Sequence, residues 1–298
     1  MKVIKGSLVA LVTPMKKDGS LDKNAFCNLI DWHIEKKTDG LVVVGTTGES
    51  PTVDFKEHVS LIELAMKHSS GKIPIIAGTG ANSTTESILL TKEASVIGVD
   101  ASLQVVPYYN KPSQSGLIYH FKAIADSVDI PIILYNVPGR TVADLSNDTV
   151  LELSKVKNIV GIKDATADLS RGQWLIRELP KDFLIYSGDD TTALALILCG
   201  ADGNISVTAN VLPSVMSKLC NLALSGDFEN AIKINNEILP IHKALFLEAN
   251  PIPVKWVMSK MDLITESIRL PLTNPNEVNK KKLLETIKLI NVLQKKYS

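Results

Sequence analysis

NIVGIKDAT, residues 158–166, runs a short apolar segment straight into Lys163 and then into acid and hydroxyl. The segment reads as a buried strand, and an ammonium group is costly to take out of water unless it is paired or gives up its proton. What that strand end faces therefore matters. Outward from it, one pattern recurs: a β-branched run closing on Gly, Pro, Asn or Thr, then a longer amphipathic stretch. The runs are SLVALV (7–12), LVVV (41–44), IPIIA (73–77), SLQVV (102–106), IPIIL (130–134), IVGI (159–162), FLIY (183–186) and NISV (204–207), and their starts fall 21 to 34 residues apart. That is the length of a strand plus a crossover helix, and near-continuous apolar strands belong to a sheet covered on both faces. Between them, NAFCNLIDWHIEKK and KEHVSLIELAMKH are apolar at helical spacing. Eight such units predict a (β/α)8 TIM barrel, where six or fewer would predict an open doubly wound sheet. Past about Val211 the strand signal stops and residues 215–246 and 279–296 read as helices only. The division expected is a barrel over residues 1–225 and an all-helical C-terminal extension over 226–298.

Lys plus Arg (32) balance Asp plus Glu (32) and no basic block stands out, so neither a nucleic-acid nor a membrane-surface footprint is present. Small-molecule partners are favoured. Cys27, Cys199 and Cys220 are odd in number and widely spaced, which argues against a disulfide framework or a zinc site and fits a reducing cytoplasm. The apolar run Leu8 to Val12 is too short for a secretory core, and no stretch approaches the ~18 apolar residues of a membrane span.

In a barrel of this kind the chemistry gathers at the C-terminal strand ends. Those ends carry GTTGES (45–50), GTGANS (78–83), PYYNKP (107–112), YNVPGR (135–140), Lys163-Asp164, SGDD (187–190) and SVTAN (206–210). A free lysine has a pKa of about 10.4, and bringing it to about 7.4 takes about 4 kcal/mol of selective destabilisation of the ammonium. A largely apolar strand end supplies part of that, and the neutral amine can then condense with a ketone or aldehyde to a Schiff base. The competing reading is a lysine that reaches solvent or pairs with Asp164; the barrel mouth favours the nucleophile. Tyr135, ending the preceding strand, is either a proton shuttle or a core tyrosine. GTTGES offers hydroxyls and backbone N–H groups for a small carboxylate. Arg140 is either a bidentate carboxylate clamp or a solvated charge.

Absences narrow the reaction. None of His33, His58, His68, His120 or His242 lies at a strand end, so no metal is expected. Asp189 and Asp190 stand where barrels usually hold phosphate, which disfavours sugar phosphates and pyridoxal phosphate. GTGANS with Asp100 beyond it imitates a dinucleotide fingerprint, but Ser83 replaces the third glycine. No cofactor is expected.

The ordered set GSLVALVTPM, GTTGES, IAGTGANST, PYYNKPSQ, YNVPGRT, VGIKDAT, SGDD, ISVTAN, NPIPVKW and RLPLT, which spans nearly the whole chain, closely resembles the pyruvate-dependent Schiff-base lyase and synthase family. The resemblance implies condensation of pyruvate with L-aspartate 4-semialdehyde on the way to diaminopimelate and lysine. Lys163 would form the Schiff base and Tyr135 would give and take protons. Thr46 and Tyr109 would complete a proton relay, Tyr109 reaching across a subunit interface. Thr47, Gly188 and the backbone of Ile205 would hold pyruvate, and Arg140 the semialdehyde carboxylate. A homotetramer of tight dimers is implied. One alternative is an aldol cleavage such as that of N-acetylneuraminate, whose enzymes characteristically lack an arginine at the position of Arg140; another is a catalytically silent barrel that only binds a ligand or serves as an assembly subunit, against which the intact lysine, tyrosine and threonine set argues.

Regulated members of the family bind lysine at a dimer interface, and Ser50, His58, Asn82, Glu86 and Tyr108 match positions of that pocket. Glu86 is otherwise a helix N-terminal carboxylate. Pro51 and Phe55 depart from the regulated pattern, Phe55 standing where a histidine contacts the effector. Losing one polar contact costs on the order of 1 kcal/mol, so lysine is expected to bind and inhibit partially.

Overall fold

The computed structural model describes residues 4–297. Eight strands pair in parallel in chain order: β1 (Gly6–Ala10), β2 (Gly40–Val43), β3 (Ile75–Gly78), β4 (Ala101–Val105), β5 (Ile132–Asn136), β6 (Ile159–Asp164), β7 (Leu184–Ser187) and β8 (Gly203–Ser206). β8 closes on β1, so the sheet is a barrel without edges. All eight expected strands are present, the bounds moving by a few residues. β1 ends at Ala10 although its apolar run continues to Val12, and Leu11 N–H still donates to Val42 O at 3.0 Å.

Each strand is apolar on both faces because it has two cores to fill. Leu8, Val42, Ile76, Leu103, Ile133, Tyr135, Tyr186 and Ile205 pack inside the barrel. Their neighbours turn outward: Val9, Leu41, Val43 and Ile75 join one cluster under the helices, and Ile132, Leu134, Ile162 and Ile185 join another. The N-terminal end of the barrel is tied by a repeated device. The aspartate just before β2, β4 and β8 accepts the N–H of a residue in the neighbouring strand, Asp39 from Ser7, Asp100 from Ile75 and Asp202 from Ile185, each at 2.8 Å. At the closing seam Gly203 has no room for a side chain, since a Cβ would lie 2.1 Å from Gly6 O.

Helix starts follow local chemistry. Asp22, Asp54, Ser83, Ser113, Ser146, Asp168 and Asp227 each cap a helix by accepting the N–H of the third helical residue. The helix Pro213–Ser225 completes the eighth unit and stops at Gly226, whose φ of 89° suits glycine. The later helices Phe228–Ala244, Ile252–Lys260 and Glu277–Tyr297 share one apolar cluster with the first strands, joining Val9, Ile234, Val254 and Ile290. Among the described residues no helix is long and apolar enough to cross a membrane.

Candidate active site

Lys163 lies on β6 in register with Tyr135 on β5 and Tyr186 on β7. Successive strand residues point to opposite faces. Lys163 turns inward with Tyr135, whereas Asp164 is in ion-pair range of Arg171, 3.3 Å away on the surrounding helix Leu169–Glu178. The pairing of Lys163 with Asp164 is therefore excluded. The lysine is 6% exposed, with Nζ 4.4 Å from the centre of the Tyr135 ring. Gly188 closes one side of it: a Cβ there would lie 2.9 Å from Lys163 Cε and 2.7 Å from the Ala165 Cβ. Burial pulls the amine down from 10.5 to about 8; the Asp190 carboxylate opposes this and the Arg140 guanidinium assists it. A lysine so placed has its free base available at neutral pH, in roughly one molecule in ten at pH 7.

Tyr135 is buried, and burial raises its phenol, while a hydrogen bond with Thr46 and the Arg140 charge hold that rise back. On balance those influences favour the neutral phenol. A small cavity is lined by Thr46, Ser50, Gly78, Leu103, Val105 and Tyr135, so the loop after β2 and the end of β5 meet there.

The neighbouring part of the mouth is built from segments far apart in the chain. Thr47 is buried and its Oγ1 accepts from Asn250 Nδ2 at 2.9 Å. The Asn250 carbonyl in turn accepts from the Arg140 guanidinium at 3.0 Å. Arg140 itself rides on the one-turn helix Pro138–Thr141 directly after β5 and is exposed. Ile205 is fully buried on β8 inside the barrel. Asp190, read from sequence as half of a bare acidic pair, is buried and accepts from Asn204 Nδ2 and from the N–H groups of Val207 and Thr208 at 2.7 to 3.0 Å. It thus fixes the end of β8.

Sequence reasoning missed four groups around the mouth: Asn250, Lys255, Arg269 and Glu49. Asn250, Lys255 and Arg269 come from the extension, and Glu49, inside GTTGES, carries no role in the sequence reading, which uses only the hydroxyls and backbone N–H groups of that turn. Glu49 is buried in an ion pair with Lys255, whose Nζ also donates to Thr13 O at 3.0 Å. Glu49 Oε2 accepts the Arg269 N–H at 3.0 Å, and Arg269 makes a bidentate pair with Glu57. The motifs NPIPVKW and RLPLT contain Asn250, Lys255 and Arg269, which was the available signal.

Tyr109 is not brought to Thr46 within one chain. It is 89% exposed on a backbone with φ of 74°, unusual for an aromatic residue. Among the residues expected to hold lysine, Asn82 Nδ2 donates to Tyr108 O at 3.3 Å, and the Glu86 charge acts on the Tyr108 phenol, with burial the larger cause of its raised pKa. His58 is buried with Nε2 2.7 Å from Gly78 O, and burial lowers it to about 4. Ser50 lines the cavity beside Tyr135.

A closed parallel barrel with a buried lysine of lowered pKa inside its C-terminal mouth, beside a buried tyrosine, suits Schiff-base chemistry, and the family that the chain matches is one of class I pyruvate-dependent lyases and synthases. The Dihydrodipicolinate synthetase family matches residues 3–290, and the chain belongs to that family. It is 62% identical over 268 residues to the 4-hydroxy-tetrahydrodipicolinate synthase of Nitrosomonas europaea, covering 90% of this chain and 92% of that one. The enzyme of that name from Dechloromonas aromatica is 56% identical, over 96% of this chain and 98% of its own. Among solved structures, dihydrodipicolinate synthase from Acinetobacter baumannii, complexed with pyruvate, superposes with a TM-score of 0.96 at 53% identity, over 97% of this chain and all of that one. The enzyme from Cyanidioschyzon merolae with lysine bound gives 0.94 at 35% identity, over 98% and 100%.

Proposed function

We propose that this chain catalyses the 4-hydroxy-tetrahydrodipicolinate synthase reaction, the condensation of pyruvate with L-aspartate 4-semialdehyde in the branch leading to diaminopimelate and lysine. The observation that carries it is Lys163, an amine buried inside the barrel mouth with its pKa brought down to about 8, against the face of Tyr135. The amine attacks the pyruvate ketone and water leaves, giving a protonated imine. Loss of a methyl proton gives an enamine, whose carbon attacks the aldehyde while the aldehyde oxygen takes a proton; the amine of the semialdehyde then attacks the imine carbon and expels the Lys163 amine, which closes the ring and frees the enzyme. No cofactor takes part. Tyr135 supplies and receives the protons of the carbinolamine stage, with Thr46 as the next member of the relay. Thr47, Gly188 and the backbone of Ile205 hold pyruvate; Arg140, exposed at the rim, takes the semialdehyde carboxylate.

The relay is completed by Tyr109 of a second copy. Its near-total exposure on a left-handed backbone supports a residue that finds its packing against a partner, and a homotetramer of dimers is the assembly proposed. Lysine acts as feedback inhibitor at Ser50, His58, Asn82, Glu86 and Tyr108. The reaction runs in the cytoplasm, which three free cysteines favour. The test is product formation from pyruvate plus L-aspartate 4-semialdehyde, run beside cleavage of N-acetylneuraminate. Condensation without cleavage is expected; efficient cleavage with no use of the semialdehyde overturns the reading.

A further inference from the structure

We infer that Asn250, outside the barrel in sequence, is the positioning residue whose side chain fixes which way the Thr47 hydroxyl donates, while its main-chain carbonyl separately restrains Arg140. The inference rests on the reading of Thr47 as a pyruvate contact given above.

A hydroxyl has one proton and two lone pairs. An ionised carboxylate only accepts, so Thr47 serves a substrate carboxylate only if its single proton is not committed elsewhere. Asn250 Nδ2 occupies the acceptor side of Thr47 Oγ1 at 2.9 Å, which leaves the proton for the substrate. The alternative, a residue that accepts from Thr47, would turn the hydroxyl away. The arrangement is held in a dry setting: Asn250 is 5% exposed and Thr47 3%. The Asn250 side-chain oxygen finds no donor among the described residues, so the amide makes one hydrogen bond, and that one is to Thr47.

The backbone of the same residue acts on the second substrate. Its carbonyl accepts from the Arg140 guanidinium at 3.0 Å, which restricts a side chain otherwise free at the exposed rim. One residue thus orients a donor for the first carboxylate through its side chain and the fork for the second through its main chain. These two functions separate on substitution. Asn250→Ala removes the amide and leaves the carbonyl. Asn250→Asp replaces the donor by an acceptor, which captures the Thr47 proton and places a negative charge near an anionic substrate.

The experiment is reductive trapping with borohydride over a range of pyruvate concentrations, together with initial rates against each substrate, for the native enzyme and both variants. Half-maximal trapping in Asn250→Asp is expected to need at least about tenfold more pyruvate, the loss of one hydrogen bond to a charged group, and in Asn250→Ala about threefold more, because the hydroxyl is freed to turn but can still donate. The semialdehyde KM of Asn250→Ala should stay within about twofold, because the carbonyl that holds Arg140 remains. In a Thr47→Val background, Asn250→Ala should add no further loss in pyruvate affinity. Parallel rises in both KM values, or a fall in kcat and thermal midpoint with the pyruvate dependence unchanged, would overturn the positioning role. So would additive losses in the double variant. Failure of the native enzyme to trap any pyruvate removes the underlying functional reading as well, whereas native trapping with an unshifted Asn250→Asp curve removes the positioning role alone.

Discussion

The low pKa of Lys163 has a quantitative consequence for the first chemical step. With a value of about 8, the free-base fraction is about 1% at pH 6, about 9% at pH 7 and about 50% at pH 8. Imine formation should therefore accelerate about 50-fold between pH 6 and pH 8 and then level off, where an ordinary lysine would gain about tenfold per pH unit up to about pH 9 and still be climbing at pH 10. The assay mixes enzyme and pyruvate at the test pH and moves each aliquot to one common pH for borohydride trapping, so that only condensation sees the variable. The same burial makes a stability prediction. Between about 8 and 10.5 the unfolded chain binds more protons at this site than the folded one, so stability rises with pH through that window, and the cost is fully present below it. It amounts to about 3 kcal/mol, so Lys163→Met should be more stable than the native chain by about that much at pH 7 and lose its advantage by pH 10.5. A trapping rate flat from pH 6 to pH 8, or one still climbing at pH 10, would refute the account of how this lysine is activated.

Other perturbations probe the surrounding groups. Arg140→Ala should raise the semialdehyde KM by at least about tenfold while weakening pyruvate trapping far less, and should move the trapping midpoint upward because a cation that disfavours the ammonium has gone; equal losses for both substrates would contradict its assignment. Lys255→Met leaves the buried Glu49 carboxylate without its partner and should cost about 3–5 kcal/mol in urea unfolding, against which a loss below about 1 kcal/mol would mean that the pair is dispensable. Lysine at millimolar concentration should inhibit partially, and Glu86→Ala should relieve that inhibition. Inhibition untouched by the change would place the effector elsewhere.

The barrel was legible because every strand has two faces to bury, leaving unbroken Val, Ile and Leu runs at crossover spacing. Lys163 and Tyr135 were legible for a related reason, since a polar group ending such a run stands at the mouth and adjacent strands bring such ends together. Asn250, Lys255 and Arg269 were not. They sit in a helical region with no strand period to locate them, 203, 206 and 220 residues from the partners they serve in the loop after β2. Glu49 was missed because nothing in GTTGES points to a lysine 206 residues away. Tyr109 could be assigned a role only through the resemblance, since nothing in PYYNKP distinguishes a tyrosine that turns inward from one that projects from the surface.

The central claim is that the NIVGIKDAT strand delivers an amine that bonds covalently to pyruvate. Intact mass after pyruvate and borohydride, followed by peptide mapping, tests it most directly. One reduced pyruvyl group per chain, on Lys163 and absent from Lys163→Ala, is the expected result. An unchanged native mass, or an adduct mapped to another lysine, would contradict it.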